Sequence, residues 1–144
     1  MSLSSAALPP SFTRWIAPET RKQLGISTHE ENLAKLAARE EKELQRQIAS
    51  LLRLHGIEAD VSAFHKRTTR KTGWPDFTFA VWLDGATYQR CPVAWECKRP
   101  GEKLRPEQEQ LRQKLITPPN AWRYDVIYTV AEAVAILREL GVIK

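Results

Sequence analysis

The sequence predicts an α/β domain with the element order helix, three strands, helix, strand, helix. Two observations carry this prediction. Two stretches begin with a helix-capping signature and continue with apolar residues at helical spacing, and two shorter stretches alternate apolar with small or polar residues. The chain has 144 residues, of which 42% are hydrophobic, and this is enough for one domain with a core.

The first long helix is predicted from residue 28 to about residue 55. Thr28 and Glu31 have the spacing of a capping box, and Gly56 supplies a stop. Its apolar residues recur every three or four positions: Leu33, Leu36, Ala37, Leu44, Ile48, Leu51 and Leu52. Residues 1–27 form a predicted N-terminal arm, with a short helix near 18–24, that packs on its own domain or on a second subunit. Residues 28–144 form the domain itself.

Three strands are predicted next, at residues 58–64, 76–83 and 92–98. In the second strand Phe77, Phe79, Val81 and Leu83 share one face, while Asp76 lies on the other. In the third, Val93, Trp95 and Cys97 share one face, and Ala94, Glu96 and Lys98 share the opposite one. A turn that includes residues 84–85 and 88–91 is expected between these two strands.

The last three elements are a helix, a strand and a helix. Pro106 suits the first turn of a helix that ends near Ile116, before Pro118-Pro119. A strand is predicted at 124–128. Thr129 and Glu132 then have capping-box spacing, which predicts a helix to about residue 140.

Composition and charge restrict the class of function. The net charge of +5 suits a polyanionic partner without requiring one. No apolar run approaches the ~20 residues of a membrane span, and no secretory signal is recognisable, so a cytoplasmic protein without a membrane partner is expected. Cys91 and Cys97 lack the spacing of a disulfide scaffold or a structural zinc site, which favours reduced thiols.

Pro75-Asp76 and Glu96-Cys97-Lys98 carry the most informative chemistry. About twenty residues separate the two acids, a distance that a hairpin can fold back. Two carboxylates ~4 Å apart repel by about 4 kcal/mol at an effective dielectric constant near 20, and a hard cation such as Mg²⁺ or Mn²⁺ removes that repulsion. Carboxylates, a divalent metal and a lysine are what phosphodiester hydrolysis needs. The alternative is a turn aspartate beside strand surface charges.

Four short motifs in order resemble the VRR-NUC branch of the PD-(D/E)xK nucleases. They are Glu41-Lys42-Glu43-Leu44-Gln45, Gly73-Trp74-Pro75-Asp76, Glu96-Cys97-Lys98-Arg99-Pro100-Gly101 and Leu104-Arg105-Pro106-Glu107-Gln108. The resemblance spans roughly residues 38–142 and implies a restriction-endonuclease-like αβββαβ core with an extra C-terminal helix. Cys97 and Arg105 depart from the residues more common in that family, an aliphatic residue and Ser.

The resemblance implies a metal site and a catalytic lysine. Asp76 and Glu96 would bind Mg²⁺ or Mn²⁺, with the backbone carbonyl of Cys97 completing the shell. Lys98 would position the attacking water or stabilise negative charge on the phosphate.

Two further polar residues lie on otherwise apolar helix faces. Glu41 shares a face with Leu44 and Ile48, and a carboxylate there needs a partner, for which the metal or its water shell is the expected one. Gln108 shares a face with Leu111 and Leu115, and we expect it to reach Lys98 or a phosphate, the alternative being an ordinary buried amide. Gln45 serves the site helix by hydrogen bonding or is a surface amide.

Contacts with DNA are predicted for two groups of basic residues. The loop at 65–73 contributes Lys66, Arg67, Arg70 and Lys71, and the surface beyond the acids contributes Arg99, Lys103 and Arg105. The alternative, usual for charge runs, is a solvated surface.

The resemblance implies a Mg²⁺- or Mn²⁺-dependent endonuclease that acts on branched DNA such as four-way junctions. Symmetric cleavage of two strands needs two active sites, so a twofold homodimer is expected. Flap cleavage, nicking and DNA binding without catalysis stay open, as does an RNA-binding or scaffold role without metal. No small-molecule cofactor is expected, and the small stand-alone format suggests the cytoplasm of a bacterial cell or a phage-infected host.

Overall fold

The computed structural model describes residues 16–25, 27–61, 73–83 and 89–144. Within these ranges there are four helices and four strands: α1 (Pro18–Gln23), α2 (His29–Leu54), β1 (Asp60–Val61), β2 (Phe77–Leu83), β3 (Gln89–Cys97), α3 (Pro106–Ile116), β4 (Arg123–Ile127) and α4 (Val130–Glu139). Two compact units divide the chain, Met1–Glu40 and Glu41–Lys144, so that their boundary falls inside α2. The division predicted after residue 27 stays a prediction.

The strands form one mixed sheet in the order β1-β2-β3-β4. The β1–β2 and β2–β3 pairs are antiparallel, and the β3–β4 pair is parallel. The parallel pair is joined through α3, as a parallel connection requires a crossover. This sheet with its helices confirms the predicted α/β class.

The two faces of the sheet pack into two apolar clusters. The larger cluster joins Ile48 and Leu52 of α2, Leu137 of α4, and the strand residues that include Phe79 and Trp95. The smaller one joins Ala94 of β3 to Leu111 and Leu115 of α3. Both alternating sets of β3 are therefore buried, as expected for a strand covered on both faces.

Local hydrogen bonds explain where the helices begin. At the start of α2 the Glu31 backbone N–H donates to Thr28 Oγ1 at 3.1 Å, and the Thr28 N–H donates to Glu31 Oε2 at 2.9 Å. Thr129 and Glu132 form the same reciprocal pair at the start of α4. Both predicted capping boxes are confirmed.

The strand boundaries differ from the predicted ones. Strand β2 begins one residue later, at Phe77, and strands β3 and β4 end one residue earlier, at Cys97 and Ile127. Strand β1 covers only Asp60–Val61 among the described residues. The predicted turn residues 89–91 belong to β3, because they continue its antiparallel pairing with residues 81–83 of β2. Strand β4 begins one residue earlier than predicted, at Arg123.

Several sequence predictions lie outside the described residues. They concern the start of the arm at residues 1–15, residues 62–64 of the first predicted strand, residues 65–72 of the basic loop predicted at 65–73, and the turn at 84–88. Of the helices that the structure describes, none is both long and apolar enough to cross a membrane.

Candidate functional site

Asp76 and Glu96 meet because of the register between β2 and β3. Phe77 pairs with Trp95, so one further step along the same antiparallel ladder sets Asp76 opposite Glu96. Directly opposed residues point to the same face, with Cβ atoms about 5 Å apart. Two acids distant in sequence therefore become neighbours at one end of the strand pair.

Asp76 is held by a hydrogen bond from the neighbouring strand. The backbone N–H of Cys97 donates to Asp76 Oδ2 at 2.9 Å. The Gln45 side chain on α2, which is 8% exposed, lies near the Asp76 carboxylate and opposes the rise in its pKa that burial causes. The bond from Cys97 fixes the carboxylate against the edge of β3.

The two carboxylate oxygens of Glu96 have different surroundings. Gln108 Nε2 donates to Oε1, and Lys98 Nζ lies 3.3 Å from the same oxygen. Oε2 is buried, and the described residues provide no hydrogen-bond partner for it. A buried carboxylate oxygen normally has a partner, so Oε2 marks a position where a cation or a donor would be stabilised.

The orientation of the Gln108 amide follows from its two hydrogen bonds. Its Oε1 accepts from the Arg105 backbone N–H at 2.9 Å, which completes the first turn of α3, and this leaves Nε2 to donate to Glu96. Nε2 carries a second N–H, so the prediction that Gln108 reaches Lys98 or a phosphate stays a prediction. Gln108 acts on the site through Glu96.

Burial and crowding of negative charge raise the pKa of both acids. For Asp76, burial and the charge of Glu41 raise the pKa to about 6, although the Cys97 N–H opposes this. For Glu96, burial and the charge of Asp76 raise the pKa to about 8, although Lys98 opposes this. Two neighbouring acids with raised pKa values favour either a proton or a metal cation between them.

Glu41 lies one helical turn before Gln45 on α2 and is half-buried. Its charge raises the pKa of both Asp76 and Glu96, so it contributes to the same electrostatic field. Glu43, by contrast, is exposed and lies 3.8 Å from Arg46. Glu41 is therefore the glutamate of the two whose charge acts on the site, and its role as a metal ligand through water stays a prediction.

The loop that carries Asp76 packs directly against the start of α3. Gly73 has a φ of +84°, and a Cβ built on it would lie 2.8 Å from the Glu107 carbonyl oxygen and 3.2 Å from the Gln108 backbone nitrogen. Only glycine fits this contact without movement of α3. Gly73 thus sets the distance between the Asp76 loop and the helix that carries Gln108.

Cys97 contributes its backbone, not its thiol, to the site. Its side chain is fully buried in the larger apolar cluster, and burial raises the pKa of the thiol well above its usual range. Because the N–H and C=O of a strand residue point toward the same neighbouring strand, the Cys97 carbonyl faces the side on which Asp76 lies. Among the described residues no group of three or more His, Cys, Asp or Glu side chains is arranged to hold a metal.

Tyr124 and Gln45 were not assigned to the site from sequence. The Tyr124 hydroxyl is buried, has no hydrogen-bond partner among the described residues, and has a raised pKa because of burial and of the charges of Glu96 and Asp76. Tyr124 lies in β4 and pairs with Ala94 of β3, so its side chain is on the same face of the sheet as Ala94 and Glu96. Gln45 follows Glu41 by four residues on a helix, so the two side chains share a face, and this spacing is the sequence signal that would place Gln45 near the site.

The basic residues predicted to contact DNA fall into two sets. Arg99 lies 2.8 Å from Glu102, and Arg105 lies 3.4 Å from Glu107, so both are paired with acids. Lys103 is exposed. Lys66, Arg67, Arg70 and Lys71 lie outside the described residues.

Comparison of the chain with protein-family models gave no match, and comparisons with curated proteins and with solved structures gave none either.

Proposed function

We propose that this chain is a Mg²⁺- or Mn²⁺-dependent nuclease of the PD-(D/E)xK type, resembling the VRR-NUC branch, that hydrolyses phosphodiester bonds in DNA. The convergence of Asp76, Glu96 and Lys98 at one end of the β2–β3 pair carries the proposal. Asp76 is about twenty residues from Glu96 in sequence, and a purely structural ion pair between Glu96 and Lys98 would not need this second, half-buried acid. The four motifs support the same assignment.

The donor set fits a hard divalent cation. Asp76, Glu96 and Glu41 bring three negative charges, against one positive charge from Lys98. A divalent cation would balance this excess and supply the missing partner of Glu96 Oε2. Asp76, Glu96 and the Cys97 carbonyl would bind it directly, and Glu41 through water.

A bound divalent cation supplies Lewis-acid catalysis of phosphodiester hydrolysis. Lys98 has a side chain only 9% exposed, with its Nζ fixed 3.3 Å from Glu96, so its remaining protons can orient the attacking water or contact a phosphate oxygen. Gln108 holds the Glu96 carboxylate and the Cys97 N–H holds the Asp76 carboxylate, and these bonds restrict the rotation of both. Tyr124 Oη offers a further unused donor.

The substrate class follows from charge and from the resemblance. The net charge of +5 suits a nucleic-acid backbone, and the resemblance favours branched DNA such as a four-way junction. Paired cleavage of a junction would use a twofold homodimer. We place the reaction in the cytoplasm of a bacterial cell or of a phage-infected host.

A DNA-binding module without catalysis is the second candidate. It is favoured by one observation: Glu96 Oε1 already has both Lys98 and Gln108 as partners, an arrangement that also serves a structural pair. A structural pair of this kind does not explain why Glu96 Oε2 is buried without a partner among the described residues, or why Asp76 lies beside it.

Cleavage assays separate these functions. Labelled four-way junction, flap and linear duplex DNA are incubated with protein in Mg²⁺, Mn²⁺ or chelator. We expect metal-dependent cleavage, fastest on the junction, that falls about 100-fold or more in Glu96→Ala and Lys98→Ala. Glu58→Ala, an exposed acid outside the site, is the matched control.

Two results would contradict the proposal. Cleavage that survives chelator or the Glu96→Ala change would come from a contaminating enzyme. Tight DNA binding with no cleavage in either metal would favour the binding module.

A further inference from the structure

The N-terminal unit contains a cavity that the proposed chemistry does not use. It has a volume of about 340 Å³ and is lined by three cations, Arg21, Lys22 and Lys35, together with Glu31 and Ser27. All of these residues belong to Met1–Glu40, and none of them is part of the carboxylate cluster. We refer to this cavity as the N-terminal pocket.

The pocket combines the last turn of one helix with the first turns of the next. Arg21 and Lys22 lie in the last turn of α1. Glu31 and Lys35 are four residues apart on α2, so their side chains share one helix face. Neighbouring elements of the same unit thus bring the cations together.

The pocket has a formal excess of two positive charges, since three cations face one carboxylate. That carboxylate is engaged, because Glu31 Oε2 accepts a hydrogen bond from the Thr28 backbone N–H at 2.9 Å. The lining is therefore suited to an anion.

Arg21 supplies a second, independent observation. Its Nε atom is shielded from solvent, and no hydrogen-bond partner for it exists among the residues that the structure describes. A guanidinium stays charged at all physiological pH values, so its buried N–H needs an acceptor. An oxyanion in the pocket would provide that acceptor.

We propose that the N-terminal pocket binds a phosphate group, and that the backbone of a nucleic acid is its source. A guanidinium presents N–H donors in a fixed fork that matches phosphate oxygens, and the two lysines add charge without demanding a fixed geometry. The volume lies at the lower end of small-ligand sites, which suits one phosphate or one nucleotide. The N-terminal unit would then contact nucleic acid outside the active site.

The first test observes Arg21 directly in the full-length, metal-free protein. The Nε–Hε resonance of Arg21 is assigned in ¹⁵N-correlated NMR spectra by its absence in Arg21→Lys. We expect this resonance to shift saturably with inorganic phosphate, and not with sodium chloride at the same ionic strength. If phosphate moves it no more than chloride does, the pocket is not a phosphate site and the proposal fails.

The second test identifies the source of the phosphate. Binding of a labelled DNA duplex is measured in chelator across a range of salt for Arg21→Gln/Lys35→Gln and for Arg138→Gln/Lys144→Gln, a control that removes two exposed cations elsewhere. We expect the pocket variant to bind about tenfold more weakly, with a salt slope smaller by about one to two, and the control to change less.

The two tests together decide between the sources. If phosphate shifts the Arg21 resonance while the pocket variant binds DNA as tightly as the control variant does, that result would retain the phosphate site but overturn nucleic acid as its source. The site would then be assigned to free phosphate or a phosphomonoester. Neither measurement requires metal or cleavage, so an inactive nuclease can pass both and an active one can fail both.

Discussion

Glu96 has one satisfied and one unsatisfied carboxylate oxygen. Oε1 is engaged by Gln108 and Lys98, whereas Oε2 is buried without a partner among the described residues. Leaving a buried polar group unpaired costs about 1–3 kcal/mol. Such a cost is common where a site is built for a ligand, and here the chemistry of the neighbouring Asp76 points to a cation.

The raised pKa values predict how stability depends on pH. In the unfolded chain both acids titrate near their ordinary values of about 4. Burial raises the pKa of Asp76 to about 6 and that of Glu96 to about 8. Between the unfolded value of about 4 and these raised values, the folded protein binds more protons than the unfolded chain does. Stability is therefore highest below this window and falls as pH rises through it.

We expect the melting temperature of the metal-free protein to fall between about pH 5 and pH 8, and Glu96→Gln to remove most of that fall. Glu58→Gln, at an exposed position, should keep the fall. Added Mn²⁺ should restore stability near pH 8, because a metal binds the ionised acids. If calorimetry shows that the melting temperature of Glu96→Gln depends on pH as that of the wild type does, a raised pKa of Glu96 is not the cause of the fall.

Gln108 is expected to control metal affinity through Glu96. Gln108→Leu removes the donor to Oε1, and loss of such a supporting hydrogen bond typically weakens metal binding about 10–100-fold. Gln110→Leu, at an exposed position on the same helix, is the control. Isothermal titration with Mn²⁺ measures both, and equal affinities in the two variants would show that Gln108 only packs.

Helix α3 and the loop before β2 form the support of the site. The Gly73 backbone lies against Glu107 and Gln108, while Leu111 and Leu115 bury the same helix against Ala94. One helix therefore anchors to the sheet by its apolar face and reaches Glu96 from its first turn. Displacement of that first turn should change the site before it changes the fold.

Gly73→Ala tests this coupling, with Gly101→Ala as a matched control. Both glycines have positive φ values, +84° and +86°, but only Gly73 has atoms within 4 Å of an added Cβ. The left-handed conformation alone costs about 1–2 kcal/mol in either variant. We expect urea unfolding to show a larger loss for Gly73→Ala, and cleavage to fall in that variant alone.

Equal losses of stability and activity in the two glycine variants would show that α3 moves away from the added Cβ at Gly73 with little cost in free energy. A loss in Gly101→Ala alone would contradict the positioning role of Gly73.

In the Glu41–Lys144 unit, both faces of β3 are buried around Glu96, and Asp76 lies directly before β2. Cluster residues from α2 and α4 cover one face, and α3 covers the other. A catalytic group on such a strand, as Glu96 is, is held more firmly than a group on a loop. Substrate binding is expected to depend on exposed cations, and hence on salt.

If about five of the predicted basic residues contact phosphates, the logarithm of DNA affinity should fall with the logarithm of salt concentration at a slope near −4 to −5. A slope near zero would show that these residues do not contact the DNA phosphates.

The homodimer is tested by the mass in solution. Sedimentation without DNA should give twice the mass of the 144-residue chain, and with junction DNA the added protein mass should be that of two chains. A monomeric mass together with full junction cleavage would contradict the twofold arrangement.

Local signals in the sequence predicted most of the elements, and long-range packing decided what they missed. Capping boxes at Thr28 and Thr129 fix helix starts through contacts three residues apart, so they are readable from sequence. The partners of Gln45 and Gln108 depend on how helices dock on the sheet, which no local pattern contains. The start of β3 was missed because pairing across the hairpin, not strand propensity, extends it.

The pairing of Asp76 with Glu96 was predictable because it needs only a hairpin and a period of two. The proposal that these acids and the Cys97 carbonyl bind one divalent cation depends on that pairing. The most direct test is anomalous diffraction from a crystal soaked in Mn²⁺. We predict a peak about 2.0–2.3 Å from oxygens of Asp76 and Glu96 and near the Cys97 carbonyl. A site without a peak, with the two carboxylates turned toward different surfaces, would contradict the proposed metal site.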